Sequence, residues 1–271
     1  MRLSELGELG LLAELERRGL ARGIEDDAAQ LQYGVVVTQD ALVENVHFRL
    51  AWTTHRELGY KAAAVNLSDL AASGAEPEGL VVSLGVPPAT SLDDILELYE
   101  GLNEPGVPVL GGDTTRADLL YLSVTALGRS PRVPGRSGAR PGDLLVVTGP
   151  LGAAGAAFRA SRHARPPLRL EEGGRLAALA DAMIDISDGL ARDAGHLARR
   201  SACALAIELE QVPLAPGAIL DDLGFGEDYE LLAATPDPLE FAVIGRCEEG
   251  EGVALRLRGK PVELGGWEHF R

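Results

Sequence analysis

Residues 182–201, AMIDISDGLARDAGHLARRS, read as a short apolar strand, AMIDIS, that passes directly into a helix, DGLARDAGHLARRS. Two acids interrupt the apolar run. Ser187 as an N-cap with Asp188 in the first helical turn accounts for one of them, because a carboxylate there meets the positive end of the helix. Asp185, between Ile184 and Ile186, gains nothing from capping, and an unpaired charge in a buried strand is costly.

The alternation of strand and helix continues on both sides. Upstream, YGVVVTQDALV (33–43) is β-branched and continuous, as in a buried strand, and TTHRELGYKAAAVNLSDLAASGA (53–75) is a helix with a Thr54/Glu57 capping box and a stop at Gly74. GLVVSLGVP is a strand, SLDDILELYEGLNEPG a helix opened by Ser91, VPVLGGDTT a strand leading into a glycine turn, and LLYLSVTALG another strand. Downstream, LLVVTG, CALAIELE, YELLAAT, FAVIGRCEE and GVALRLRG are strands, and PLGAAGAAFRASR is a small-residue helix. The N-terminal MRLSELGELGLLAELERRG reads as an amphipathic helix rather than a signal peptide. GRSPRVPGRSGARPGD (128–143), dense in Gly, Pro and Arg, marks a junction. The expectation is a mixed α/β, α+β chain of two domains, 1–135 and 136–271, each with its own sheet.

Charge narrows the partners. A net charge of −16 repels phosphate backbones and anionic lipid, which argues against nucleic acid and membrane surfaces, and no apolar run reaches spanning length. Lys61 and Lys260 are the only lysines and no GxxxxGK[ST] occurs, so a Walker-type phosphate loop is excluded. Cys203 and Cys247, without CxxC spacing, imply neither a zinc site nor a disulfide framework, and point to the reducing cytoplasm.

Asp185 and Asp188 are not isolated. Asp40 closes VVVTQD, and Asp113 closes VPVLGGD after two glycines that let backbone approach a ligand. Asp69, with Asn66 and Ser73, makes a polar stripe on an otherwise apolar helix, and Asp26 and Asp27 adjoin in GIEDDAAQL. Any single one can be answered by an arginine or a cap. Together, without matching lysines, they point to hard divalent cations set between an acidic protein and a phosphorylated ligand.

The segments GIEDDAA, TQDALVENVHF, GYKAAAVNLSDLAASGAEP, LGGDTT, RSGARPGD, MIDISDGLARD, GEDYELL and GWEHF resemble, in order and spacing from Asp26 to Phe270, the thiamine-monophosphate kinase family. That resemblance implies a PurM-like fold, with an N-terminal domain that dimerises through a β-barrel and a C-terminal α+β domain. It also implies ATP-dependent phosphorylation of thiamine monophosphate with several Mg²⁺ ions. Carried over by motif, the metal ligands are Asp26, Thr38, Asp40, Asp69, Asp113, Asp185 and Asp188. ATP is implied at Tyr99, Gly112, Asp113, Arg136 and Ser187, and the thiamine phosphate at His47, Glu227 and Trp267. No catalytic side chain is expected, because the acceptor phosphate is already ionised and phosphoryl transfer needs positioning and charge neutralisation.

Several of these residues have ordinary alternatives: His47 as a core histidine, Trp267 as a staple for the tail, Glu227 with Asp228 as a solvated turn, Tyr99 as helix packing. The chain also departs from the family pattern at Glu25 (usually Gly), Gln39 (usually Ser or Thr) and Phe225 (usually Gly). Two other readings stand beside the kinase. A sister ATP-dependent enzyme of the same fold would use a different acceptor, although no cysteine precedes Cys203, as a selenophosphate-synthetase-like enzyme requires, and the chain ends in Arg271 rather than the cysteine of a hydrogenase-maturation enzyme. An inactive nucleotide-binding relative would bind ATP without turnover.

Overall fold

The computed structural model describes residues 2–21 and 26–268. Helix α1 (Leu3–Arg17) precedes β1 (Ala29–Gln30), β2 (Val35–Val43), α2 (His55–Ala72), β3 (Glu76–Val86), α3 (Leu92–Asn103), β4 (Val109–Arg116) and β5 (Tyr121–Arg129). There follow β6 (Leu144–Val147), α4 (Ala153–Arg159), α5 (Leu170–Ala177), β7 (Ala182–Asp185), α6 (Leu190–Ser201), β8 (Ala204–Glu208), β9 (Leu231–Thr235), β10 (Ala242–Glu248), β11 (Gly252–Leu257) and β12 (Lys260–Pro261). The strands form a five-stranded sheet, β1-β2-β5-β3-β4, and a seven-stranded sheet, β12-β11-β8-β10-β6-β9-β7. Both are mixed, since β3–β4 and β8–β11 pair in parallel while their neighbours are antiparallel. This is the mixed α/β architecture the sequence implies.

Helix α2 ties the two sheets together. Its start is fixed reciprocally, with Thr54 Oγ1 accepting from Glu57 N and the Glu57 carboxylate accepting from Thr54 N. From Leu58 to Ala72 nearly every residue is buried, as expected for a helix covered on all sides. One side packs on the five-stranded sheet through Leu58, Ala62, Leu67 and Leu70, against Val36, Leu80, Val82 and Val124. Its C-terminal Ala71 and Ala72 join Val146, Met183, Leu231 and Ala233 of the second sheet. α3 crosses α2 at Gly59 and Gly101, where an added Cβ would lie 1.9 Å from the Leu98 and Arg56 carbonyl oxygens respectively. No other residue fits that crossing.

Four local readings are corrected. α1 is not one amphipathic helix: Gly7 at φ 73° breaks it, and Leu3 and Leu9 remain exposed. Asp40 and Asp113 lie inside strands rather than at their ends, because β2 runs on to Val43 and β4 to Arg116. Gly111 and Gly112 therefore extend β4 instead of turning it; Gly112 is needed because a Cβ there would meet Val82 O at 1.8 Å. α5 is an additional helix, set so that Gly173 rests on the Ala71 carbonyl of α2.

Candidate active site

The polar stripe of α2 faces β2 and β7. Asn66 Oδ1 accepts from Asp40 N at 2.9 Å while its Nδ2 donates to Ala62 O at 2.9 Å, so the buried amide is satisfied and fixes the backbone at Asp40. Ser68 Oγ donates to Asp185 Oδ2 at 2.6 Å, joining α2 to β7. Thr38 Oγ1 donates to Asp69 Oδ2 and approaches Asp27 O at 3.1 Å. Carboxylate oxygens of Asp27, Asp69 and Asp185 consequently lie within 4.8 Å of one another.

Such a group resists ionisation. Burial pushes the carboxyl of Asp69 well above the usual range, with Asp40, Asp185 and Asp27 adding like-charge repulsion. Asp185 is raised to about 8, by burial first and then by Asp27 and Asp40, against the opposing Ser68 hydrogen bond. Asp27 is also raised by burial, although Arg136 draws it back. The Arg136 guanidinium binds Asp27 Oδ1 through Nη2 and through Nε at 3.1 Å, and its backbone N–H donates to Asp26 Oδ1 at 2.8 Å. One guanidinium thus faces at least four carboxylates, counting Asp40 by its effect on its neighbours. The group presents an all-oxygen donor set whose ionised form a cation would stabilise.

A second group comprises Asp188, Asp193 and His196, again with one ligand atom from each within 4.8 Å of the others. Asp193 Oδ2 accepts from Asp188 N at 3.0 Å, and burial followed by Asp188 and Asp185 raises its carboxyl well above the usual value. Burial, with Arg136, Arg199 and Arg192 nearby, depresses His196 to about 4, so its ring is neutral at pH 7. Arg192 lies alongside, its Nε 3.0 Å from Asp188 Oδ2.

A cavity of about 720 Å³ reaches Asp40, whose charge acts on the first group, and Asp188 of the second, and His47, Glu227, Trp267 and Ser187 also line it. His47 Nδ1 accepts from Val43 N at 3.0 Å, and its backbone carbonyl accepts from Lys61 Nζ at 3.2 Å. The same buried ammonium donates to Glu227 Oε1 at 2.6 Å. Glu227 (φ 58°) and Tyr229 (φ 52°) both occupy the left-handed region, strain that persists only where the surroundings impose it. Here Glu227 N and Tyr229 N are bonded to the carbonyls of Ser187 and Ile186. Asp228 is no solvated turn: its carboxylate accepts from Gly152 N at 2.7 Å and Ala154 N at 3.3 Å at the start of α4.

Not every expected residue converges. Asp27 takes the place in the carboxylate group for which Asp26 is named by the motif, and Asp26 instead holds the Arg136 backbone. Asp113 is exposed on the edge strand, paired in register with Ser83 on the sheet face turned away from α2, and Gly112 precedes it. Tyr99 packs half-buried on the core under α3. Gln39 points to the same open face as Asp113 and exchanges hydrogen bonds with Ser123 and Thr125 at 3.0 Å. Glu25 lies outside the described residues. Asp193 and His196 are the additions; their i, i+3 spacing on one helix face is the signal that could have disclosed them.

Residues 25–130 match the family described as AIR synthase related protein, N-terminal domain. The chain is 34% identical to the thiamine-monophosphate kinase of Aquifex aeolicus (strain VF5), over 100% of both chains. A solved structure described as "AaThiL complexed with AMPPCP and TMP" superposes with a TM-score of 0.92 at 34% identity, covering 99% of each chain. The hydrogenase maturation protein HypE of E. coli shares the fold alone, with a TM-score of 0.70 at 21% identity over 94% of this chain and 96% of that one. With full-length identity of this order and carboxylates gathered beside one cavity, the chain belongs to the thiamine-monophosphate kinase family.

Proposed function

We infer that the chain transfers the terminal phosphoryl group of ATP to the phosphate of thiamine monophosphate, yielding ADP and thiamine diphosphate. The observation that carries this reading is the adjacency of the buried carboxylate group to the cavity, with Asp40 belonging to both. The donor set fits magnesium: it is all oxygen, rigidly oriented and short of cations. We assign Asp26, Thr38, Asp40, Asp69, Asp113, Asp185 and Asp188 as ligands and add Asp27. Magnesium ions bound there supply charge neutralisation and orientation of the phosphate oxygens.

The chain's own groups do the rest. Thr38 and Ser68 hold Asp69 and Asp185 in fixed rotamers, and Arg136 offers a planar fork suited to ATP phosphate oxygens. Ser187 is assigned to ATP as well. His47, Glu227 and Trp267 bind the thiamine phosphate, with the exposed Trp267 ring suited to the cationic thiazolium. No side chain is assigned as a general base.

We further propose a homodimer that closes the five-stranded sheet into a barrel. Supporting this, β4 is exposed along almost its whole length at the sheet edge, a template for pairing. Tyr99, Gly112 and Asp113, which the single chain leaves outside the carboxylate group, are then proposed to reach ATP across that interface. Division into domains at 135/136 follows the break between the two sheets. Among the described residues no helix is long and apolar enough to cross a membrane, and the two free thiols support a cytoplasmic location.

The test is incubation with ATP, Mg²⁺ and thiamine monophosphate. Thiamine diphosphate forming with ADP is the expected result. ADP release without it would indicate another acceptor, and retained ATP without turnover an inactive relative.

A further inference from the structure

Aromatic residues make up only 4% of the chain, yet both tryptophans, Trp52 and Trp267, and three of the five phenylalanines, Phe48, Phe158 and Phe225, line the one 720 Å³ cavity. Phe48 is buried beneath it. Phe225 and Phe158 meet at 4.9 Å between centroids with their planes tilted by 41°, Phe158 meets Trp52 edge-on at 5.5 Å, and Trp52 continues to His163 at 5.7 Å. Four rings therefore form one continuous row. Phe158 is 44% exposed although it lines a pocket, an apolar face left open to solvent.

Charge in the cavity is mixed. Asp40, Asp188 and Glu227 line it together with Trp267, whereas the Arg49 guanidinium lies 4.4 Å over Trp52 and Arg162 adjoins His163 at the end of the ring row. A cationic ring is favoured near the acids and Trp267, and disfavoured beside Arg49 and Arg162. A flat neutral ring suits the row.

Resting on the kinase reading above, we propose that the Phe225–Phe158–Trp52 row receives the aminopyrimidine ring of thiamine monophosphate, and that Phe225 is a specificity residue for that ring. Phe225 touches Phe158 and adds its own face, so Phe225→Gly removes one end of the row.

The experiment compares two acceptors, thiamine monophosphate and the thiazole phosphate lacking the pyrimidine. In Phe225→Gly and Phe225→Leu, the ratio of kcat/KM for the full acceptor over the truncated one falls about fivefold, while Phe225→Tyr retains it. The KM for ATP serves as the control for a folded protein. A ratio unchanged in Phe225→Gly and Phe225→Leu overturns the proposal. Quenching of Trp52 and Trp267 fluorescence by thiamine monophosphate, without ATP, separates the two readings. Phe225-dependent binding without turnover sustains the ring assignment and sinks the kinase; no binding by the native chain sinks the assignment.

Discussion

The two sides of the site are built differently. On the phosphate side, Asp69 comes from a buried helix and Asp185 from the end of the fully buried strand β7, each held by a hydroxyl from a neighbouring element. On the acceptor side, His47, Phe225, Glu227 and Trp267 come from connecting segments whose shape depends on positive φ values and the single ammonium of Lys61. Chemistry common to a phosphoryl-transfer family sits on the rigid side, and the surface that chooses the acceptor sits on loops.

The strongest break in this comparison is Asp185→Asn. It keeps the Ser68 hydrogen bond through the amide oxygen but can no longer ionise to meet a cation. Turnover should fall about 10²- to 10³-fold, while thermal stability in chelator holds near neutral pH, where burial keeps most of the Asp185 carboxyl protonated, and exceeds that of the native chain above the raised value of about 8, where the variant escapes like-charge repulsion. A matched Asp113→Asn variant, altering an exposed side chain, should leave stability unchanged yet also lower turnover. Full activity in that variant at ordinary Mg²⁺ would remove Asp113 from the ligand set.

Lys61→Met attacks the acceptor side at the side chain that joins Glu227 to the His47 carbonyl. The ammonium is buried and serves both Glu227 and the His47 carbonyl, so its loss leaves a carboxylate short of its partner. Because Glu227 retains some solvent, the cost should be about 2 kcal/mol rather than the full penalty of a broken buried pair. Steady-state kinetics should show the KM for the thiamine substrate rising and the KM for ATP unmoved. Equal rises in both would mean that the two sides are not separable.

The phosphate side also predicts a linkage between cation and pH. Asp69 and Asp185 have folded-state values raised above those of the unfolded chain, so their contribution is fully present below about pH 4 and is lost as pH climbs towards the raised value of about 8 for Asp185. In chelator, Tm should therefore slope downward by a few degrees across that window. Saturating Mg²⁺ should flatten this slope by binding the ionised form. A slope identical with and without Mg²⁺ in thermal scans would count against a cation at these carboxylates.

What the sequence disclosed follows the same division. α2 was legible because its cap, its stop and its polar stripe are local signals, and Asp185 because an acid between two isoleucines contradicts its strand. Asp26 and Asp27 were not separable, since adjacent loop residues point in directions only tertiary contacts decide; here Arg136 takes Asp27 with its side chain and Asp26 with its backbone. Asp113 was legible as a strand residue but its position on the face turned away from α2 was not, because strand register, not strand membership, sets which face a residue occupies. Asp193 and His196 lie in a segment legible only as a helix, and α5 carries two central glycines that weaken any helical reading.

The smallest expected effect is the most discriminating about how much of the cavity is scaffold. Trp267 is 45% exposed, and its backbone N–H is anchored to Asp188 O at 3.0 Å, so the main chain stays in place without the ring. Trp267→Ala should then leave Tm within a degree or two and raise the KM for thiamine monophosphate by about fivefold, the range of one cation–π contact. If Tm falls sharply while KM holds, the ring is packing the tail against α6. The acceptor side would then rest on the aromatic row and Glu227 alone.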